Sequence, residues 1–224
     1  MFMELYKQGH ILKQIIHTGI GSVSSDYLLN YDAICRDDIR VPKTPTVVKE
    51  ILRDLIAERS GGIVCDLGCG DGYIIKNIDA DIKVAVDIAY PYLQNLPNDI
   101  IRIYGPVESV PLDMRSIDTV ICTDVLEHVL SAEMVASEIN CLVKSDGNIL
   151  LAFPYKQDLS VYDLPEYKKN QKQYKYVHLR SIDDEFIAKI FPRFKVKFEQ
   201  LIEDGMAEMK YKPYPIKFLE LVRK

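Results

Sequence analysis

No stretch of about 18 consecutive apolar residues occurs in the 224-residue chain, so no segment is expected to span a membrane as a helix. The opening residues, Met-Phe-Met-Glu-Leu-Tyr-Lys, carry charge within the apolar stretch and lack the h-region of a secretory signal. A basic excess is missing as well: 28 lysines and arginines face 33 aspartates and glutamates, a net charge of −5. Dedicated nucleic-acid binders usually show the opposite sign, so this balance argues against one. The five cysteines, Cys35, Cys65, Cys69, Cys122 and Cys141, are odd in number, and three lie in apolar runs. That pattern fits reduced, buried thiols in a cytoplasmic protein better than a disulfide framework. There is no internal repeat and no low-complexity tract.

What remains is an ordinary globular composition, 48% hydrophobic and 27% charged. A chain of this length buries roughly 70% of its unfolded surface, enough for one core without staples. The first segment, Phe2 to Thr18, sets Leu5, Leu12, Ile15 and Ile16 on one helical face, and Gly19 and Gly21 stop it. A second helix is expected from Thr44 as N-cap and Pro45 at the first helical position. Val47, Val48, Ile51, Leu52, Leu55 and Ile56 form its apolar stripe, and Gly61-Gly62 end it.

From Ile63 short apolar runs alternate with helical stretches, the rhythm of a parallel sheet built from βαβ units. Strands are expected at Ile63–Asp66, Lys83–Asp87, Ile100–Tyr104, Thr119–Thr123 and Asn148–Phe153. Helices are expected at Ser131–Leu142 and Asp183–Ile190, and two late strands at Phe194–Leu201 and Ile216–Val222. Continuous apolar runs such as Ile149-Leu-Leu-Ala-Phe153 point to central strands covered on both faces.

The most informative stretch is Ile63-Val-Cys-Asp-Leu-Gly-Cys-Gly-Asp-Gly-Tyr73. A buried strand runs into Gly68-x-Gly70-x-Gly72, where glycines let the backbone turn sharply and approach a ligand closely. A nicotinamide fingerprint needs a further glycine at position 73, which is Tyr73. Asp66 before the loop and Asp71 within it repel a pyrophosphate and attract an ammonium or a sulfonium. Val84-Ala-Val-Asp87 ends the next strand 19 residues beyond Gly68, where a carboxylate reaches ribose hydroxyls.

Asp66-Leu-Gly-Cys-Gly-Asp-Gly72, Val86-Asp-Ile-Ala89 and Thr123-Asp-Val-Leu-Glu-His-Val129, in this order, resemble the class I S-adenosylmethionine-dependent methyltransferases, in particular the small-molecule branch labelled type 11. The resemblance spans about Pro45 to Leu201. It implies a Rossmann-like three-layer αβα sandwich on a seven-stranded, mostly parallel sheet of order 3-2-1-4-5-7-6 with the last strand antiparallel. The cofactor it implies is S-adenosylmethionine, leaving as S-adenosylhomocysteine. Asp66, Gly68, Cys69 and Gly70 then hold the methionine end, Asp87 the ribose hydroxyls, Ile88 the adenine face and Thr123 the floor under the amino-acid part. The family usually follows its third strand with Gly-Asp-Ala, whose Asp reads the adenine amino group. This chain has Gly105-Pro-Val-Glu108, which leaves the backbone of Val107 and the side chain of Glu108 for that task. Cys65 and Cys69 do not extend to a radical-type iron–sulfur motif, because position 72 is glycine, and no second ligand pair for zinc lies nearby. No metal is expected.

Methyl transfer from a sulfonium is an in-line displacement, so alignment and exclusion of water dominate. A hydroxyl acceptor also needs a base within reach. His178, in Tyr174-Lys-Tyr-Val-His-Leu-Arg-Ser181, is the candidate base, whereas His128 reads as a helix-packing histidine. Residues 154–180 lack apolar periodicity and hold five tyrosines and five lysines. They are expected to cover the acceptor site, with Tyr155 nearest the chemistry. The organisation expected is a helical lid or cover over residues 1–44 and a methyltransferase domain over 45–224. The acceptor is expected to be a small polar molecule bearing a hydroxyl or amine, such as a sugar or natural-product intermediate, the protein acting as a monomer or homodimer. RNA or protein methylation, or a non-catalytic cofactor-binding subunit, are the alternatives, and a nicotinamide dehydrogenase is a distant third.

Overall fold

The computed structural model describes residues 46–163, 165, 178–203 and 214–224, together with the backbone of residues 15–17. Its strands are β1 (Ile15–His17), β2 (Ile63–Leu67), β3 (Ile82–Asp87), β4 (Ile100–Tyr104), β5 (Ile117–Thr123), β6 (Val143–Pro154), β7 (Phe194–Ile202) and β8 (Ile216–Arg223). The helices are α1 (Val47–Ala57), α2 (Tyr73–Lys76), α3 (Tyr90–Gln94), α4 (Ala132–Leu142) and α5 (Asp184–Ile190). All eight strands form one sheet in the order β1-β4-β3-β2-β5-β6-β8-β7. Counted from β2, that is the expected order 3-2-1-4-5-7-6. The strands from β1 to β6 pair in parallel, whereas β8 runs antiparallel between β6 and β7.

The continuous apolar runs sort by alternation, as a doubly covered sheet requires. Ile149, Leu151 and Phe153 of β6 enter one buried cluster, with Ile139 of α4 and Ile187 of α5. Leu150 and Ala152 enter the other, with Leu52 and Ile56 of α1. The same alternation puts Cys65 and Leu67 of β2 on the first face and Val64 on the second. Two helical layers thus enclose the sheet.

Two local expectations are corrected. The chain at Ile15–His17 is an edge strand alongside β4, not part of a helix over Phe2–Thr18. A β-branched pair next to the open edge of β4 gains a parallel ladder there, which outweighs weak helical periodicity. The N-cap of α1 is Thr46, whose hydroxyl oxygen accepts from the Lys49 amide at 3.2 Å, two residues beyond the expected Thr44. Thr44 and Pro45 lie outside the described residues. The shift leaves Val47 67% exposed, while Val48, Leu52 and Ile56 are buried. Ser131 caps α4 and Asp183 caps α5 through the amides of Met134 and Phe186, as a polar residue before an apolar-periodic run should. No helix among the described residues is long and apolar enough to cross a membrane.

Candidate functional site

The glycine turn leaves the C-terminal end of β2 and closes back on β3. The amides of Gly68 and Cys69 both donate to the Val86 carbonyl, at 2.8 and 3.1 Å. Gly68 stands at φ +78°, and a Cβ there would lie 2.3 Å from Cγ2 of Val125, on the loop after β5. Gly70 stands at φ +53° with nothing within 4 Å of the Cβ position. Both are left-handed, but only the first is also sterically closed.

This contrast gives a test that separates folding from binding. Gly68→Ala is expected to destabilise the fold by about 2–4 kcal/mol, from a left-handed alanine and an overpacked contact. Gly70→Ala meets no protein atom and carries the backbone cost alone, about 1–2 kcal/mol. Its added methyl occupies the open side of the turn, so S-adenosylhomocysteine affinity should drop more than tenfold in a protein that melts close to wild type. Thermal unfolding and calorimetric titration of the two variants check this pair of outcomes.

Asp87, at the end of β3, is buried and fastens the turn from below. Its Oδ2 accepts from the Gly70 amide at 2.8 Å, and its Oδ1 accepts from the Ala89 amide at 2.7 Å. A carboxylate has about four acceptor positions, so two amides do not exhaust it. Asp66, one residue before the end of β2, is buried to 2% exposure. Its Oδ1 makes no hydrogen bond among the described residues. Burial pushes its carboxyl up to about 8, and the nearby Asp87 and Asp71 carboxylates add to the rise. A buried carboxyl oxygen without a partner, beside an open left-handed turn, fits the ammonium of an amino-acid ligand.

The other expected cofactor residues lie at or after the C-terminal ends of β2, β3, β4 and β5. Cys69 is buried, and burial drives its thiol well above the ordinary cysteine value, as it does for Cys122, so both are packing groups rather than nucleophiles. Ile88 and Thr123 are half-buried at the C-terminal ends of β3 and β5. After β4, the Gly105 amide donates to the Asp87 carbonyl at 3.1 Å, bringing this loop beside Asp87. Val107 faces the core, and Glu108 is partly buried, which raises its pKa above the usual carboxylate range.

On the acceptor side the structure separates the two expected residues. The Tyr155 hydroxyl donates to Asp184 Oδ2 at 2.7 Å, and its ring lies 4.9 Å from Lys217 Nζ, so it ties β6 to α5. His178 is buried in a different cluster. Its Nδ1 bonds Gln157 Oε1, whose amide nitrogen in turn meets the Tyr162 hydroxyl at 3.3 Å. The His178 ring stands edge-on to His128 at 4.6 Å, to Tyr162 at 5.8 Å and to Tyr214 at 5.9 Å.

His178 reaches His128, fifty residues away, because its neighbours are stitched to the segment after β5. The Leu179 amide donates to the Glu127 carbonyl at 2.7 Å. The Arg180 guanidinium donates to the carbonyls of Leu126 and Leu130. Glu127 is 1% exposed, with neither carboxylate oxygen hydrogen-bonded among the described residues, and burial with the Asp124 carboxylate raises its pKa well above the usual carboxylate range. Glu127 and Gln157 are not singled out by the sequence pattern, in which His128 reads as a helix-packing histidine. The one available signal is the adjacent Glu127-His128 pair in the segment after β5.

Residues 65–151 match the sequence profile of the type 11 family, described as a methyltransferase domain. No curated protein matches the chain. Among solved structures, magnesium protoporphyrin IX methyltransferase (ChlM) from Synechocystis PCC 6803, with bound S-adenosylhomocysteine, superposes with a TM-score of 0.61. That protein is 19% identical, over 89% of this chain and 98% of its own. An S-adenosylmethionine-dependent methyltransferase from Clostridium acetobutylicum reaches a TM-score of 0.56 at 12% identity, over 88% of this chain and 97% of its own. The cyclase SpnF reaches 0.63 at 13% identity, over 94% of this chain and 97% of its own, so the shared fold also serves a cyclase. Residues 65–151 of this chain thus match the methyltransferase-domain model of the type 11 family, on a sheet whose strand order is that of the class I methyltransferase fold.

Proposed function

We propose that the protein transfers a methyl group from S-adenosylmethionine to a hydroxyl or amine of a small polar acceptor, such as a sugar or a natural-product intermediate. The observation that carries this reading is the acidic, phosphate-repelling floor of the glycine turn: Asp66 Oδ1 buried without a hydrogen-bond partner, and Asp87 beside it at the end of β3. Asp66 holds the ligand's ammonium, and Asp87 holds its ribose hydroxyls while its own Oδ2 keeps the Gly70 amide in place. Ile88 offers an apolar face, and the loop at Val107 and Glu108 faces the base. When bound, the cofactor supplies an electrophilic methyl on a sulfonium, whose departure needs no proton.

What the chain must add is orientation of the acceptor and a place for its proton. Because the Gln157 amide nitrogen is turned to Tyr162, its oxygen faces His178 Nδ1 and sets the proton there. The lone pair of His178 is then on Nε2, the group of a general base. As the acceptor oxygen forms its bond to the methyl carbon, the carbon–sulfur pair stays on sulfur and the hydroxyl proton passes to this nitrogen. Tyr155, with its hydroxyl on Asp184, contributes by holding β6 and α5 together at the rim. The cover expected over residues 1–44 lies outside the described residues, except for β1 at the sheet edge.

Incubation with methyl-labelled S-adenosylmethionine and cell extract split into metabolites, polysaccharide, RNA and protein tests the acceptor class. Label is expected in the metabolite or polysaccharide fraction. Label confined to RNA or protein would replace the small-molecule reading. No label in any fraction, with S-adenosylhomocysteine still bound, would identify a cofactor-binding subunit without transfer activity.

A further inference from the structure

We propose that Glu127, His128 and His178 form a binding site for a divalent transition-metal ion, in which three protein donors leave a coordination position for an oxygen of the acceptor. The proposal builds on the methyl-transfer reading and reassigns the lone pair of His178 from base to ligand.

Three observations converge on the cluster. One donor atom from each residue can be chosen so that all lie within 4.8 Å of one another. Glu127, His128 and His178 are buried to 1%, 6% and 7% exposure. The Glu127 carboxylate oxygens have no hydrogen-bond partner among the described residues; His128 Nε2 lies 4.0 Å away, and the Arg180 guanidinium acts on the carboxylate only through space. A buried carboxylate left in this state is costly unless a cation or a proton occupies the space. The imidazoles meet edge-on rather than stacked, with an interplanar angle of 79°. In addition, His178 Nδ1 is held by Gln157, the second-layer arrangement that fixes a ligating histidine with Nε2 toward the ion.

Two imidazoles and one carboxylate suit zinc and its first-row neighbours rather than magnesium or calcium, which prefer oxygen sets. A site with three protein ligands keeps a position open. A hydroxyl bound there loses its proton to solvent more readily, and the resulting alkoxide attacks the methyl carbon as the carbon–sulfur pair moves to sulfur. The acceptor class that follows is a metal-chelating hydroxyl compound, in preference to an amine.

The test is calorimetric titration of chelator-treated full-length protein with zinc, and visible spectroscopy with cobalt. Wild type is expected to bind one zinc ion at micromolar affinity or tighter and to develop cobalt d–d bands. Glu127→Gln and His178→Gln should each weaken zinc binding at least 100-fold, and Gln157→Ala by about 10- to 100-fold. Glu127→Gln removes a charge but keeps the shape, so its melting temperature should hold or rise, which separates lost binding from lost folding. Absence of a one-to-one site in wild type, or zinc binding unchanged in both Gln variants, overturns the proposal. Titration with S-adenosylhomocysteine on the same samples separates the two readings. Bound S-adenosylhomocysteine without a metal site leaves methyl transfer standing and sinks the metal, whereas a metal site without S-adenosylhomocysteine binding sinks the methyl-transfer reading.

Discussion

Asp87→Ala is expected to weaken S-adenosylhomocysteine binding at least 100-fold. The expectation rests on two losses that act together. Hydrogen bonds to a charged acceptor contribute about 1.5–3 kcal/mol each, and two ribose hydroxyls would lose theirs, which alone amounts to about two to four orders of magnitude. The substitution also strands the Gly70 and Ala89 amides, which donate to Oδ2 and Oδ1 at 2.8 and 2.7 Å. Losing the first frees the glycine turn to leave its binding conformation. Asp87→Asn keeps the shape and one acceptor oxygen, so it should fall between alanine and wild type. Calorimetry gives the affinities, and thermal unfolding shows whether the remaining protein is folded. Wild-type affinity in a folded Asp87→Ala protein would remove Asp87 from the ribose site.

The variant has a second, less obvious effect. Asp87 is one of the carboxylates that raise the Asp66 pKa. Removing its charge should therefore let Asp66 ionise at lower pH, so the two acidic positions are not independent. A double variant should show non-additive binding losses, as contacting charged groups do.

How far the sequence led can be judged from particular residues. The β2-to-β6 core was legible because each strand is an apolar run bounded by turn residues and covered on both faces, and the ladder requires little else. The glycine turn was legible for the same reason that it works: an acidic residue, three glycines at fixed spacing and a strand-ending Asp87 encode its geometry locally. Ile15–His17 misled because three residues on a sheet edge take their conformation from β4, which no local pattern reports. Thr44 and Thr46 are both acceptable caps, and the choice depends on which of Val47 and Val48 the sheet can bury. The Glu127–His128–His178 cluster was out of reach for a different reason. Its members are joined by the Leu179 and Arg180 hydrogen bonds to the segment after β5, contacts between residues about fifty positions apart whose side chains and carbonyls leave no periodic trace. For Tyr155 the sequence reports only its place after β6; that its hydroxyl donates to Asp184, twenty-nine residues on, is a contact no local pattern encodes.

The second large effect concerns Asp66 and pH. In the ligand-free protein its carboxyl titrates near 8, against an ordinary value of 3.8, because burial penalises the charged form. The folded state therefore keeps a proton that the unfolded chain has already lost between these two values. Stability from this residue is greatest below the unfolded value and declines as pH rises from 3.8 to about 8, the reverse of a salt-bridged aspartate. An ammonium placed at Oδ1 requires the ionised form, so binding expels that proton at any pH below about 8. S-adenosylhomocysteine affinity should then rise up to tenfold per pH unit between 6 and 8 and flatten above it. Calorimetry in two buffers of different ionisation enthalpy should detect close to one proton released at pH 6.5. Asp66→Asn removes the charge and keeps the volume. At pH 8 it should melt at or above the wild-type temperature without ligand, since a buried carboxylate with one unpartnered oxygen is gone. It should also bind S-adenosylhomocysteine about 100-fold more weakly, with no pH slope left from this position. A wild-type affinity that is flat from pH 6 to 8 would show that Asp66 does not hold the ammonium. The expected slope instead makes Asp66 a residue that favours binding through a charge the empty fold resists: an uncharged group at this place would stabilise the sheet and lose the ligand.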